Sequence, residues 1–409
     1  MESLRQQSKL IFLFAIFLTI SAATSRAAQN SPGVSDSSIR IGSCSALSGS
    51  ASFLGIQTQV GALAYFHFVN DTGGVYGRTI ELKSHDDSYD PEQATGCFNN
   101  LLKDDVFAMG FFVGTPTAAK YVPMADAGKI PVLGLFTGAQ MLYEPLKHDI
   151  INVRASYFDE TREQVDHLWK VRGVRKIGVI YQDDAFGKAV LDGVQHALAR
   201  HQATPTALGT FQRNTLNISA GIKAVRDAKP EAVILVGPYA PVAAILKGAH
   251  SSGWHPLFLT VSFVGTEGLI RAAGPDAEGV VVTQVVPPYD RTDLPTIKLY
   301  RDALDKYMSG TSPSFVSLEG FVDAMIMVQG LRKAGKDLSR EKFISAIESL
   351  HDSDTGLGHD FLLHYGAKNH KGFDSVYATV IHQGRPVVIN DWTSLEGESQ
   401  SLRAMSKTQ

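Results

Sequence analysis

The feature that most constrains the fold is the stretch from residue 107 to residue 140, FAMGFFVGTPTAAKYVPMADAGKIPVLGLFTGAQ, in which strand and helix patterns alternate. Two short apolar runs, Phe107–Val113 and Ile130–Leu135, are separated by about the length of one helix. This spacing predicts a parallel β-α-β unit, because parallel strands need a crossover helix to return the chain. The same alternation occurs before and after this stretch, and so predicts an α/β protein with doubly wound parallel sheets.

Small hydroxylic residues follow both apolar runs. Thr115 is placed to cap the next helix, and Pro116 fits the first helical position. The first turn of that helix would point free N–H groups beyond the strand ends, beside Thr137 and Gly138 in the neighbouring turn. Ligands of open α/β sheets bind at this edge. The two turns therefore predict a site for an anionic or hydrogen-bonding small molecule, although helix capping alone also explains such residues.

The chain has 409 residues, which is enough for two domains with separate cores. Arg5 and Lys9 precede an apolar run at 10–20 and small residues up to Ala27, which predicts that residues 1–27 are a cleaved secretory signal peptide. A membrane anchor is the alternative, but the run is short for a span. Without residues 1–27 the chain has 35 basic and 40 acidic residues, a net charge of −5. With no basic stripe, nucleic acid is not an expected partner.

The sequence contains two cysteines, Cys44 at the end of the first predicted strand and Cys97 on the helix after the second. In an oxidising compartment such a pair favours a disulfide, and two buried thiols are the alternative. Two cysteines do not make a zinc site, and no pair of histidines has convincing ligand spacing. We therefore expect no metal site.

Motifs for catalysis are missing from the sequence. It has no phosphate-binding loop, no nucleophile elbow and no GxGxxG after the first predicted strand. The pairs Asp86/Asp87 and Asp183/Asp184 follow predicted strands, but such carboxylates more often cap helices or order turns. We expect neither enzymatic activity nor a cofactor. Aromatic and hydroxyl residues instead recur where strands end, which favours a pocket wall, although each aromatic residue can equally belong to a core.

The motifs ALSGSASFLG, NDTGGVYGRTIEL with HDDSYDPEQA, GTPTAAKYVPMADAGKIPVLG, NVRASY, VIYQDDAFGKA, SFVG and PSFVSLEGF occur in this order. In order and spacing they resemble periplasmic solute-binding proteins of the branched-chain amino acid (Leu/Ile/Val) type, which serve ABC importers. The resemblance covers essentially all of the chain after the signal peptide.

That resemblance implies a type I periplasmic binding fold, in which two lobes joined by three crossovers close on a ligand. The crossovers are expected near residues 154–157, 285–289 and 362–365. The expected first lobe combines residues 38–156 and 287–363, and the second lobe combines residues 157–286 and 364–409.

The resemblance also implies a set of ligand contacts. The expected contact residues are Phe53, Leu54, Thr115, Thr117, Phe136, Thr137, Gly138, Tyr157, Phe186, Tyr239, Ser262, Phe315 and Glu319. In the amino acid receptors an acidic residue that pairs with the ligand's ammonium group aligns near Ser262, so that partner is missing here. Glu319 and Asp183 are possible substitutes. Phe136 places a ring where those receptors often have alanine. We therefore expect a carboxylate with an apolar or aromatic body, and an aliphatic amino acid as the second choice.

Taken together, the sequence predicts a periplasmic receptor, secreted through a cleaved signal peptide, that delivers a small ligand to an ABC permease in the inner membrane. A ligand-sensing subunit of a membrane signalling receptor is the alternative, because the same closure can be read by a signalling partner. The identity of the ligand stays open. No symmetric interface is evident, so a monomer is expected.

Overall fold

The computed structural model describes residues 31–395, so the expected signal peptide and the last residues of the second lobe lie outside the described residues. The described chain forms two mainly parallel sheets with helices packed on them. This confirms the α/β class and the two parallel-sheet lobes expected from the alternating pattern. Within this part of the chain, no helix is long and apolar enough to cross a membrane.

The first sheet has five parallel strands in the order β2-β1-β3-β4-β5. We call the part of the chain packed around this sheet the first lobe. Its opening elements are β1 (Ser38–Ser45), α1 (Ser52–Asp71), β2 (Thr79–Asp86), α2 (Pro91–Lys103), β3 (Ala108–Gly110), α3 (Thr115–Ala127), β4 (Val132–Leu133) and β5 (Ile150–Ile151).

The chain then enters a second α/β unit, which we call the second lobe. Strands and helices alternate again, as the sequence pattern predicts. The elements are α4 (Tyr157–Lys170), β6 (Ile177–Gln182), α5 (Ala185–Ala199), β7 (Ala207–Phe211), α6 (Ser219–Arg226), β8 (Ala232–Val236), α7 (Tyr239–Ser251), β9 (Leu257–Thr260), α8 (Thr266–Ala273) and β10 (Val281–Gln284).

After β10 the chain returns to the first lobe. The elements of this segment are α9 (Pro295–Tyr307), α10 (Phe315–Ala334), α11 (Arg340–Glu348), β11 (His351–Ser353) and β12 (Leu363–His364). One hydrophobic core joins side chains of this segment to side chains of α1 and β1. The core around the first sheet therefore contains side chains from two separate parts of the chain.

The C-terminal hairpin completes the second sheet. Strands β13 (Tyr377–His382) and β14 (Arg385–Val388) are antiparallel, and β13 pairs antiparallel with β10. The seven strands lie in the order β14-β13-β10-β9-β8-β6-β7. The hairpin predicted around Gln383 and Gly384 is thus the antiparallel edge of an otherwise parallel sheet.

Helices α1 and α10 cross at very short range. An added Cβ on Gly61 of α1 would lie 1.8 Å from the carbonyl oxygen of Ser317, and one on Gly320 of α10 would lie 2.0 Å from that of Thr58. Both positions therefore need glycine, because any larger side chain would meet backbone atoms of the facing helix.

The cysteines and the two aspartate pairs have structural roles. Cys44 at the end of β1 and Cys97 on α2 form a disulfide with an S–S distance of 2.00 Å. Asp86 accepts hydrogen bonds from the N–H groups of Leu47 and Ser48. Asp184 caps α5 by accepting from its first N–H groups. Asp86 thus orders a turn and Asp184 caps a helix, which was the simpler of the two sequence interpretations.

Candidate functional site

The two hydroxylic turns meet at the edge of the first sheet. Oγ1 of Thr115 lies 2.7 Å from Oγ1 of Thr137, and both side chains are buried. The expectation that Thr115 caps the helix was wrong, because Gly114 takes the cap position and Thr115 is the first helical residue. Gly114 has a φ of 104°, and a Cβ there would lie 2.3 Å from the ring of Tyr89. Only glycine suits this turn, and the hydroxyl of Thr115 is not used for capping.

Two other expected contacts hold the turns in place. The hydroxyl of Thr117 donates to the carbonyl oxygens of Val113 and Gly114, at 2.6 and 2.9 Å. The carbonyl of Gly138 accepts a hydrogen bond of 2.7 Å from the N–H of Tyr157 at the start of α4. A Cβ on Gly138 would lie 2.8 Å from that nitrogen. Gly138 therefore brings the first-lobe turn directly onto the second lobe.

Tyr157 adds a third hydroxyl group to this corner. Its side chain is fully buried, and its hydroxyl interacts with Thr137. No described group completes a well-formed hydrogen bond with it. A buried polar group without a partner is costly, and a ligand that bonds to it removes the cost. Thr115, Thr137 and Tyr157 thus form a polar corner beside the first turn of α3.

Aromatic rings from both lobes pack around this corner. The ring centroid of Phe263 in the second lobe lies 5.6 Å from that of Phe136 in the first lobe and 4.3 Å from that of Phe186. The Phe186 centroid lies 5.5 Å from that of Tyr157, and Tyr89 lies 6.0 Å from Phe263. The lobes are therefore closed on each other through aromatic contacts. Phe263, which closely follows β9, is not among the contacts expected from the sequence.

Arg154, which was not among the expected contacts, packs against one ring of this aromatic group. Its guanidinium carbon is 5.1 Å from the ring centroid of Phe136. Its nitrogens lie 3.2 Å from carboxylate oxygens of Glu160 and of Glu319, and Nη2 donates to the hydroxyl of Ser262. Ser262 also donates to Glu160 at 2.9 Å. We call Arg154, Glu160, Ser262 and Glu319 the hinge ion cluster.

The hinge ion cluster changes the interpretation of two expected contacts. Ser262 and Glu319 are engaged by the buried Arg154, so neither is free to pair with a ligand's ammonium group. Asp183, the other possible substitute, is exposed in the turn after β6, and its Oδ1 lies 3.6 Å from Nζ of Lys188. None of the acids considered from the sequence therefore stands ready for an ammonium ion.

The charges of this cluster do not balance. Burial would lower the pKa of Arg154, but Glu319 and Glu160 outweigh burial and raise it. Burial raises the pKa of Glu319 to about 7, against the opposing effect of Arg154. Asp323, one turn further along α10, has two buried carboxylate oxygens without a hydrogen-bond partner, and burial raises its pKa strongly. One guanidinium thus lies among three buried acids, and burial favours the protonated form of Asp323.

The remaining expected contacts form a second group. The ring centroids of Phe53 and Tyr239 lie 5.8 Å apart in an edge-to-face arrangement. A Cβ on Gly265 of the second lobe would lie 2.5 Å from the side chain of Leu54. The N–H of Phe315, at the start of α10, donates to Glu267 across the lobes at 3.3 Å. The structure therefore splits the expected site into the polar corner with its aromatic wall and this outer group, in which Phe53 and Tyr239 are partly exposed.

No group of three or more His, Cys, Asp or Glu side chains among residues 31–395 is arranged to hold a metal ion. What the described geometry offers is hydroxyl groups, helix N–H groups and aromatic walls between two α/β lobes. These features define the class of two-lobed ligand-binding proteins.

The comparison with family models agrees with this class. A model described as periplasmic binding protein matches residues 38–385. The chain therefore belongs to the periplasmic binding protein family, whose members bind ligands and are not enzymes. Membership in this family implies a periplasmic location.

Individual relatives are similar over most of their length. A Leu/Ile/Val-binding protein homolog from Brucella melitensis is 24% identical over 78% of this chain and 86% of its own. The crystal structure of a possible leucine/isoleucine/valine-binding protein from Rhodopirellula baltica has a TM-score of 0.84 and 34% identity, covering 88% of this chain and 98% of that one. A fatty acid ABC transporter substrate-binding protein from Thermomonospora curvata has a TM-score of 0.79 and 25% identity, covering 92% and 96%.

Proposed function

We propose that this protein is a periplasmic receptor that captures a small carboxylate with an apolar or aromatic body between its lobes and delivers it to an ABC importer. The observation that carries the proposal is the polar corner. Three buried hydroxyl groups meet beside the first turn of α3, and one of them has no satisfied partner. This arrangement suits an anionic group more than any other common ligand group.

The physical argument for a carboxylate rests on hydrogen bonding. The first N–H groups of a helix lack partners within the helix, and the positive end of the helix dipole favours an anion there. Hydrogen bonds to a charged group contribute about 1.5–3 kcal/mol each. The hydroxyls of Thr115, Thr137 and Tyr157 can donate in addition. Two or three such bonds contribute about 3–9 kcal/mol, whereas a micromolar Kd corresponds to about 8.2 kcal/mol, so the carboxylate supplies only part of the affinity.

The aromatic wall argues for the rest of the ligand. Phe136, Tyr157, Phe186 and Phe263 present rings to one another across the closed lobes. A ligand with an apolar body would replace some of these ring contacts when the lobes close around it. Burial of apolar surface contributes about 25 cal/mol per Å². We therefore expect the carboxylate to fix the orientation of the ligand and the aromatic wall to supply much of the affinity.

The names of the relatives support the same chemistry. One group is named for leucine, isoleucine and valine, and another relative for fatty acids. These compounds share a carboxylate and an apolar body. The fatty acid protein is also described as part of an ABC transporter. Delivery to an inner-membrane permease, a monomeric state and cleavage after the signal peptide belong to the proposal, as does the division into residues 38–156 with 287–363 and 157–286 with 364–409.

A thermal-shift screen of aliphatic carboxylates, aromatic carboxylates and amino acids tests the proposal directly. A ligand present at 100 times its Kd stabilises the folded state by roughly 2.7 kcal/mol, which is readily measured. We expect hits among carboxylates with apolar bodies. A screen in which only neutral or cationic compounds stabilise the protein would contradict the proposed ligand class.

Thr115→Val then tests the place of the carboxylate. The substitution keeps the shape of the side chain and removes one hydroxyl, so we expect the ligand found in the screen to bind about tenfold more weakly, which corresponds to about 1.4 kcal/mol. Thr161→Val is the matched control, because the hydroxyl of Thr161 donates within α4 to the carbonyl of Tyr157. Calorimetric titration measures both variants. Affinity of Thr115→Val within twofold of the parent would mean that the carboxylate binds elsewhere.

A further inference from the structure

Gln182, the last residue of β6, lies where the two lobes meet. Its side chain is fully buried. The amide nitrogen Nε2 donates to the hydroxyl of Tyr89 in the first lobe at 3.2 Å and to Oδ2 of Asp184 at 2.7 Å. Gln182 therefore stands at the carboxyl end of a parallel strand and faces the opposite lobe, which is where open α/β sheets bind their ligands.

The hydrogen bond to Asp184 fixes the orientation of the Gln182 amide. Oδ1 of Asp184 accepts from the first N–H groups of α5, and Arg213 lies 3.7 Å from Oδ2. Burial raises the pKa of Asp184, whereas these hydrogen bonds and Arg213 oppose the rise and favour the carboxylate. A carboxylate only accepts hydrogen bonds, so the amide nitrogen faces Asp184 and Oε1 faces away. Oε1 is buried, and no group of residues 31–395 donates to it.

Tyr89 connects Gln182 to the proposed ligand site. A Cβ on Gly114, the residue before Thr115, would lie 2.3 Å from the ring of Tyr89. The ring centroid of Tyr89 also lies 6.0 Å from that of Phe263 in the aromatic wall. One tyrosine side chain thus contacts the turn of the polar corner, the aromatic wall and the amide of Gln182. A ligand that replaces part of these ring contacts comes to lie beside Gln182.

We propose that Gln182 is a specificity-determining residue, which accepts a hydrogen bond from an uncharged hydroxyl group on the apolar body of the ligand. This inference rests on the proposed function, because it takes the carboxylate to bind at the polar corner, and it narrows the ligand class to hydroxy acids. A buried acceptor without a donor is costly, and a hydroxyl group removes that cost.

An ammonium group suits this position less well than a hydroxyl group. A buried cation needs an anionic partner, and the amide oxygen is neutral. The acid beside it, Asp184, is already engaged by the start of α5, by Gln182 and by Arg213. Because Gln182 belongs to the second lobe and the polar corner mainly to the first, the bond to Gln182 forms when the lobes close. The hydroxyl group therefore favours the closed arrangement.

Four probes with one phenylpropanoate body test for the hydroxyl group. 3-Phenylpropanoate has none, 3-(4-hydroxyphenyl)propanoate has one at the far end, and 2-hydroxy-3-phenylpropanoate has one beside the carboxylate. L-phenylalanine has an ammonium group in that last position. Each probe is titrated by calorimetry against the parent protein, Gln182→Met and Gln164→Met. Methionine keeps the length of the side chain and removes the amide.

Gln164→Met is the matched control. Gln164 is as buried as Gln182, and its Oε1 also lacks a donor within the described part of the chain. Its Nε2, however, donates to Thr260 and Thr283, which are both in the second lobe. The control therefore removes a buried amide of the same kind away from the meeting of the lobes.

We expect at least one hydroxylated probe to bind the parent protein about fivefold more tightly than 3-phenylpropanoate, as one hydrogen bond to a buried acceptor provides. Gln182→Met should reduce this ratio to less than twofold, and Gln164→Met should leave it unchanged. A general weakening of binding by a substitution cancels in the ratio, so a merely structural role of Gln182 would not change it.

A ratio that survives in Gln182→Met would overturn the proposal, and so would a parent protein without the preference, a result that needs no variant. Tighter binding of L-phenylalanine than of both hydroxylated probes would also overturn it, since the donor would then be charged. Failure of the proposed function is seen separately, as a thermal-shift screen without carboxylates or as 3-phenylpropanoate binding that is indifferent to Thr115→Val. If the screen finds carboxylates but none of the four probes binds, only the inference about Gln182 is overturned.

Discussion

Arg154 is the residue on which buried contacts from both lobes converge. It contacts Glu160 and Ser262 of the second lobe and Glu319 of the first, and it lies against the ring of Phe136. Removing one partner of a buried ion pair typically costs about 3–5 kcal/mol, because the other charge is left uncompensated. Arg154 therefore fixes the crossover between the lobes and, through Phe136, the aromatic wall of the proposed site.

The surplus of acids around Arg154 leads to a prediction about pH. Burial raises the pKa of Glu319 to about 7, above its value of about 4.3 in an unfolded chain. Between these values the folded state holds more protons than the unfolded state. The contribution of Glu319 to stability is thus fully present below pH 4.3 and is lost as the pH rises towards 7. In Glu319→Gln, the free energy of unfolding should fall less between pH 5 and pH 7 than in the parent protein.

Urea denaturation at several pH values measures this difference. Glu319 also raises the pKa of Asp323. Its removal therefore lowers the pKa of Asp323 and weakens the pH dependence in the same direction. Stability curves that run parallel from pH 5 to pH 7 would show that Glu319 does not take up a proton in this range.

Among the elements, helices α1 and α10 cross at a distance that leaves no room for a side chain at Gly61. Gly61→Ala places a methyl group within 1.8 Å of a backbone oxygen of α10, so the helices must move apart. We expect a loss of about 1–3 kcal/mol in the free energy of unfolding, as is typical of overpacked cores. Gly96→Ala on α2 is the matched control, because its Cβ would meet no atom within 4 Å. There the better helix propensity of alanine should stabilise the protein by roughly 0.5–1 kcal/mol. Urea denaturation of the two variants gives the comparison, and equal effects would contradict this account of the crossing.

Most helices and strands of the structure could be predicted from the sequence. The alternation of apolar runs and helical segments predicted both sheets, because burial on parallel strands and on helix faces leaves distinct periodic patterns. The C-terminal hairpin followed from its turn residues. The cap at Gly114 was missed because the need for glycine comes from Tyr89, which is distant in sequence and packs against that turn.

The site was predictable only in part, for a similar reason. Thr115, Thr137 and Tyr157 could be proposed from the sequence because they follow strands or crossovers, which is a local signal. The roles of Ser262 and Glu319 depend on Arg154, and the role of Glu267 depends on the start of α10. Such partnerships arise from the meeting of the two lobes. The residues that form these contacts lie far apart in the chain, and no recognisable spacing in a single sequence indicates that they meet.

At the scale of the whole molecule, the lobes are held closed by a small number of polar contacts as well as by aromatic rings. Gln182 of the second lobe donates to the hydroxyl of Tyr89 at 3.2 Å, and Arg213 donates to the carbonyl of Tyr89 at 3.2 Å. Ser50 donates to the side chain of Asn214 at 2.8 Å. These contacts are few compared with the core of either lobe, so hinge opening would break them without unfolding either lobe.

The central claim is that the two lobes close around a bound carboxylate. Small-angle X-ray scattering of the protein, with and without a saturating amount of a carboxylate found in the thermal-shift screen, tests it most directly. We predict that the ligand lowers the radius of gyration, because it shifts an open and closed mixture towards the closed form. An unchanged radius of gyration, with binding proven by calorimetry in the same sample, would contradict closure around the ligand.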